Sequence, residues 1–247
     1  PNLHMSTLIP NGIAILSAYL KKHGFENIEL FDTTFYATEV VKAKKEGVGR
    51  YDVRVKMGQM KPFNFGDRDV KLKTSDMIKD FVKKVDSFNP DLIMASILED
   101  TFPVFLEFMK HIKDKKIPCV AGNVFPSSQP ERVLREDCID YVCRGEGEDA
   151  LVDLCNALEE GKDTTNIKNL WVKKDGKIVA KNPIRPALDV ANLPIQDLSI
   201  FEDISLYRPM MGKIYRMIPV ETQRGCPYAC RFCNSPEKNE FYNAQRA

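Results

Sequence analysis

The chain has 247 residues, 43% apolar and 29% charged, a globular balance with room for one large domain or two ordinary ones. A formal charge of +1 leaves no electrostatic footprint for nucleic acid, and no apolar run approaches the roughly 20 residues that span a bilayer. Pro1 to Pro10 lacks the basic start and long apolar stretch of a signal peptide, so a soluble, cytoplasmic protein is expected.

In chain order, Pro10 to His23 carries an apolar helical stripe through Ile13, Leu16 and Leu20, and Gly24 is a fitting stop. Ile28 to Asp32 reads as a short strand ending in a polar loop. Val41 to Lys73 follows, with ten Lys/Arg against four Asp/Glu and little periodicity. It reads as an insertion, either a solvated excursion or a lid that contacts substrate. Helical spacing over Ser75 to Phe88 and Thr101 to Ile112, with Thr101 as N-cap, separates the apolar runs Asp91–Ile97 and Ile117–Ala121, each fit for a strand buried on both faces. A strand Ile139–Cys143, the turn Arg144–Glu148 and a helix Asp149–Leu158 close this series. Strands alternating with helices imply a parallel sheet covered on both faces, with ligands at the carboxyl ends of its strands.

Leu170 to Ala180 breaks the rhythm, because Asp175-Gly176 between two alternating runs signals a β-hairpin. Pro183 to Pro194 reads as a linker. Of the seven cysteines, Cys119, Cys138, Cys143 and Cys155 sit singly in apolar or amphipathic segments, the pattern of buried free thiols in a reducing compartment.

The other three stand together in Glu221-Thr-Gln-Arg-Gly-Cys226-Pro-Tyr-Ala-Cys230-Arg-Phe-Cys233, after the strand-like run Met217–Val220. Thiolates so close can converge on a metal centre, and iron–sulfur clusters favour such soft ligands. Three ligands leave one iron of a four-iron cluster open. Structural zinc would need a distant fourth donor, since His4, His23 and His111 all lie far away in sequence, and a disulfide or unligated thiols are the remaining alternatives.

This C-x3-C-x2-C loop, with an aromatic before its last cysteine, resembles the signature of radical S-adenosylmethionine (SAM) enzymes. The resemblance implies that Cys226, Cys230 and Cys233 hold a [4Fe-4S] cluster whose open iron chelates SAM. One electron from an external donor of flavodoxin or ferredoxin type then cleaves SAM to a 5′-deoxyadenosyl radical, which abstracts hydrogen from a small-molecule substrate. Phe232 resembles the aromatic beside the SAM adenine, or is an ordinary core aromatic. An open iron site also implies oxygen sensitivity.

The upstream features Pro10–Leu20 with Gly24, Asp32, Asn89-Pro-Asp-Leu-Ile93, Val120-Ala-Gly-Asn123 and Arg144-Gly-Glu-Gly-Glu148 are similar, in order and spacing, to the cobalamin-binding domain that one class of radical SAM enzymes carries. The resemblance implies an α/β, flavodoxin/Rossmann-like parallel sheet, then the start of a radical SAM partial TIM barrel. The expected domains are 1–165 for the cobalamin-binding part, with the basic insertion 41–73, then 166–200 for hairpin and linker, and 201–247 for the start of the barrel. Cobalamin is expected near Leu8, Thr33, Leu98, Glu99, Asn123, Val124 and Glu146. No D-x-H-x-x-G motif occurs, which implies a base-off cofactor without a histidine ligand. Gly145 to Ala150 also matches a loose dinucleotide fingerprint, but Glu146, Glu148 and Asp149 would crowd a pyrophosphate with like charge.

By the same resemblance the chain is expected to be a piece of a longer enzyme, inactive alone. The parent would be a cobalamin-dependent radical SAM enzyme, a methyltransferase or a cyclase. The alternatives are a cobalamin or tetrapyrrole carrier with a structural metal loop, and a radical SAM enzyme whose α/β domain binds nothing.

Overall fold

The computed structural model describes residues 9–36, 57–58, 61, 73–222, 224–225 and 231–232. Most of the basic insertion and all three loop cysteines therefore lie outside the described residues.

Helix α1 (Asn11–Lys22) ends where Gly24 takes φ +96°, and Lys21 and Lys22 complement its carboxyl end. Helix α2 (Met77–Phe88) starts on Asp76, whose carboxylate accepts from the amides of Ile78 and Lys79, and stops at Asn89 in the left-handed region just before Pro90. Then come β1 (Ile93–Ser96), α3 (Phe102–Lys110), β2 (Cys119–Gly122), α4 (Val124–Ser128), α5 (Pro130–Leu134), β3 (Tyr141–Cys143), α6 (Glu148–Glu159), β4 (Leu170–Lys174) and β5 (Lys177–Lys181). The strands form one sheet in the order β1-β2-β3-β4-β5. Its first three strands are parallel, while β3–β4 and β4–β5 are antiparallel. The fold is the expected α/β architecture, with the hairpin joined to its sheet.

Alternation along the strands builds two cores. Val120, Tyr141, Cys143, Leu170 and Val172 face α1 and α6, where Leu20, Leu151 and Leu154 meet them. Ala121, Val142 and Trp171 point the other way, onto Phe102 of α3 and Val133 and Leu134 of α5. A strand buried on both faces needs this nearly continuous apolar content. The hairpin turn has positive φ at both Asp175 (50°) and Gly176 (72°), the geometry whose twist matches its flanking strands.

Three expectations need correction. Ile28–Asp32 is not a strand, because no described strand lies beside it and a strand exists only through its ladder. Met217–Val220 is irregular for the same reason, and Pro219 has no N–H to give. Thr101 does not cap α3 through its side chain; its hydroxyl bonds the N–H and C=O of Leu98, closing a 3₁₀ turn over Glu99–Thr101. Unforeseen were α4, α5 and a separate hairpin of β6 (Tyr207–Met210) and β7 (Lys213–Arg216).

The stretch after β5 is docked on α1. Ile9 and Ala14 pack with Leu198, Phe201 and Leu206, and Asp197 is pinned beside them. Its carboxylate accepts from Ser17 Oγ at 2.7 Å and pairs with Lys21 Nζ at 2.7 Å, while its amide donates to the Ala14 carbonyl at 2.9 Å. Burial alone would raise the Asp197 pKa, but Lys21 and the hydroxyls of Ser199 and Ser17 outweigh it and hold the carboxyl well below its usual range. A depressed folded-state pKa stabilises fully above the unfolded carboxyl value near ~4 and is lost as pH falls through the acid range below it. Asp197→Asn should cost about 2 kcal/mol in urea unfolding at pH 7, with the gap to wild type closing below about pH 4. Equal stability at pH 7 would show that the pin contributes nothing.

Candidate functional site at the carboxyl edge of the sheet

The parallel strands β1, β2 and β3 end together at Ser96, Gly122 and Cys143, so the loops that follow them share one edge. After β1, Leu98 is 45% exposed and Glu99 opens the 3₁₀ turn. After β2, Asn123 takes φ 93° and ψ −167°, a region that only glycine enters readily. Its side chain holds it there: Oδ1 accepts from the Val124 amide at 2.7 Å and Nδ2 donates to Ser96 Oγ at 3.0 Å. Strain of this kind, at the mouth of an α/β sheet, is characteristic of ligand sites.

The third loop, Arg144–Gly147, is gripped from three sides. Asn169, wholly buried, donates Nδ2 to the carbonyls of Arg144 (2.8 Å) and Glu146 (3.2 Å), and its Oδ1 accepts from the Arg185 amide. Ser127 of α4 takes the Arg144 Nε–H on its carbonyl and the Gly145 N–H on its hydroxyl. The Arg144 guanidinium lies 5.0 Å above the Trp171 ring. Gly145 has φ +76°, which favours glycine.

From the third side comes Arg224, one residue before Gly225 and two before Cys226. Its guanidinium reaches Glu148 at 2.6 Å, Glu146 at 3.3 Å and its own segment's Glu221 at 3.0 Å. These side chains are 5–23% exposed, so the group is largely desolvated. Burial would lower the Arg224 pKa, but Glu221 and Glu148 override it and keep the cation above its ordinary value. The other Glu146 oxygen accepts from the Leu188 amide. The start of α6 is thus filled with carboxylates and an arginine, as the objection to a dinucleotide there anticipated.

Leu98, Glu99, Asn123, Val124 and Glu146 fall on this edge, the first four on its loops and Glu146 in the gripped turn with its carboxylate already committed. Thr33 lies in a turn where Asp32 Oδ1 accepts from the Thr34 amide and hydroxyl; Asp32 and Thr34 border a cavity of about 20 Å³ with Ser205 and Arg208. Leu8, Cys226, Cys230 and Cys233 lie outside the described residues. Phe232 is 92% exposed. Sequence reasoning missed Arg224, Asn169 and Ser127; only the Glu221-x-x-Arg224 spacing hinted at a pair, and nothing local pointed to Glu148.

The four single cysteines are free, and burial pushes their thiols up, Cys155 to about 11, Cys143 to about 12 and Cys119 well above its ordinary value. A protonated thiol is a poor ligand and nucleophile, which leaves the 226–233 loop as the chain's soft donor set. Among the described residues no cluster of His, Cys, Asp or Glu could hold a metal. No helix among them is long and apolar enough to cross a membrane.

Residues 59–155 match the model of the B12 binding domain. An uncharacterized methyltransferase of Pyrococcus horikoshii is 33% identical over 165 residues, covering 63% of this chain and 34% of its own length. The anaerobic magnesium-protoporphyrin IX monomethyl ester cyclase of Rubrivivax gelatinosus is 28% identical over 171 residues, 65% of this chain and 30% of the relative. The chain therefore spans about a third of the curated relatives it matches. Among solved structures, the radical SAM methyltransferase TsrM of Kitasatospora setae, with cobalamin and a [4Fe-4S] cluster bound, shares the fold at a TM-score of 0.51 and 21% identity, over 74% of this chain and 29% of that one. Residues 59–155 thus carry the likeness to the B12 binding domain, and the α/β fold is shared with that methyltransferase.

Proposed function

We propose that this chain supplies the cobalamin-binding part and the cluster loop of a cobalamin-dependent radical SAM enzyme, a methyltransferase or a cyclase. The observation that carries the reading is a placement. The segment that leads to the C-x3-C-x2-C loop is held by Arg224 against the turn at the carboxyl edge of the sheet, which supports a reading in which the two cofactor sites are neighbours.

The residues suit both groups. Ser96, Gly122 and the exposed apolar Leu98 put small and apolar residues at this edge, which suits a flat macrocycle, and Glu99, Asn123, Val124 and residues 145–147 stand on the loops of the same edge. Three clustered thiolates, from Cys226, Cys230 and Cys233, suit a cluster with one open iron. When bound, the cluster supplies the electron that cleaves SAM, drawn from a flavodoxin- or ferredoxin-type partner, and cobalamin supplies group-transfer or redox chemistry beside it. The chain's own share is orientation. Asn123 and Asn169 fix the loops of the edge, Arg224 ties the residues just before the cysteines to them, and Phe232 offers an exposed ring for the adenine.

Anaerobic iron, sulfide and cobalamin analysis of the full-length protein should give about four irons and one cobalamin per chain. Its reduced EPR spectrum should shift on adding SAM, and Cys230→Ala should abolish the signal; zinc in place of iron would refute the enzyme reading. At the edge, Asn123→Gly should be about 1 kcal/mol more stable than Asn123→Ala, because glycine accepts the local backbone freely. Both variants should bind cobalamin more weakly than wild type, as followed by its visible absorbance. Unchanged affinity in both would remove Asn123 from the site.

A further inference from the structure

We infer that Arg224 is a positioning residue: it latches the segment entering the cysteine loop onto the β3–α6 turn, so that the B12-binding domain sets where that loop lies. Its consequence for the cofactors rests on the proposed function, whereas the latch itself rests on geometry. One guanidinium serves three carboxylates from two distant parts of the chain, Glu221 on its own segment and Glu146 and Glu148 on the turn. The planar fork of arginine offers five donors in fixed directions, which a lysine ammonium cannot reproduce.

The anchor is rigid as well as charged. Asn169 and Ser127 hold the turn's backbone from behind, and Glu148, 4% exposed, sits in the first turn of α6, where the helix dipole favours its charge. On the other side Gln196 Nε2 donates to the Pro219 carbonyl, tying the approach to the same segment. Gly225, at φ +93°, follows Arg224 directly, so the chain turns sharply between the latch and Cys226. The chain up to Gly225 is thereby tied to the edge of the sheet, and on this proposal the alignment of the two cofactors follows from the ion-pair network around Arg224.

The test uses the full-length protein with Arg224→Gln, Arg224→Lys, and the double variant Glu148→Gln/Arg224→Gln, which leaves fewer buried charges unpaired and so guards against simple misfolding. In metal-free protein, maleimide labelling of Cys226, Cys230 and Cys233, resolved by peptide mass spectrometry, should run about tenfold faster in Arg224→Gln and in the double variant, with Arg224→Lys between them and wild type. In loaded protein, cobalamin content should stay at the wild-type level while the magnetic coupling between cob(II)alamin and the reduced cluster changes, a readout that general loss of stability would not move selectively. Labelling rates within twofold of wild type in both charge-removing variants, or an unaltered coupling, would overturn the latch. If wild-type protein holds neither iron nor cobalamin, the functional reading falls, and the labelling rates still decide the latch.

Discussion

A glutamate buried at the start of a helix, with a second, nearly buried one just before it, calls for a cation beside them. Glu146 and Glu148 have that cation in Arg224, and much of the surrounding arrangement follows from this requirement. Removing one member of such a group leaves an uncompensated charge in a low-dielectric setting, a loss of several kcal/mol. The arginine comes from far along the chain, so the network closes only when the segment after β7 has returned to the sheet. Asn169 serves the same turn through neutral hydrogen bonds, satisfying carbonyls that the β3–α6 connection would otherwise bury unpaired.

Around this turn the sheet divides its labour. Its parallel half, β1 to β3, presents loops at one edge, where variable side chains can meet a ligand without disturbing the layers beneath. Its antiparallel half, β4 and β5, is a brace. Trp171 packs on the face shared with Phe102 and Val142, and Asn169, one residue before β4, reaches back into the turn. The docked stretch around Asp197 then closes the outer side of α1, which is why both faces of that helix carry buried residues.

The longer helices and the parallel strands were legible because their signals are local: spacing of apolar residues, Gly24, Asn89-Pro90, and runs apolar enough to be buried on both faces; the one-turn helices α4 and α5 carry no such signal. The hairpin was legible from Asp175-Gly176, but its membership in the larger sheet was not, since pairing with β3 is a property of two segments that are distant in sequence. The same limit hid the fate of Ile28–Asp32 and Met217–Val220, whose composition suits a strand but which lack a described neighbour to pair with. At the site, the loops of the edge were found from topology alone. The grip on the third loop was not, because Arg224, Asn169 and Ser127 acquire their meaning only from what folding brings beside them.

Trp171 is the single tryptophan of the chain. It is 9% exposed and lies between Arg144, 5.0 Å from its ring on the gripped turn, and Lys181 of the neighbouring strand at 4.5 Å. Indole emission responds to nearby charge and to absorbing groups within energy-transfer range, and a corrin is a strong absorber in the near ultraviolet. Within this chain the tryptophan emission is therefore a one-site optical gauge, built into the brace of the sheet and reading the turn beside it.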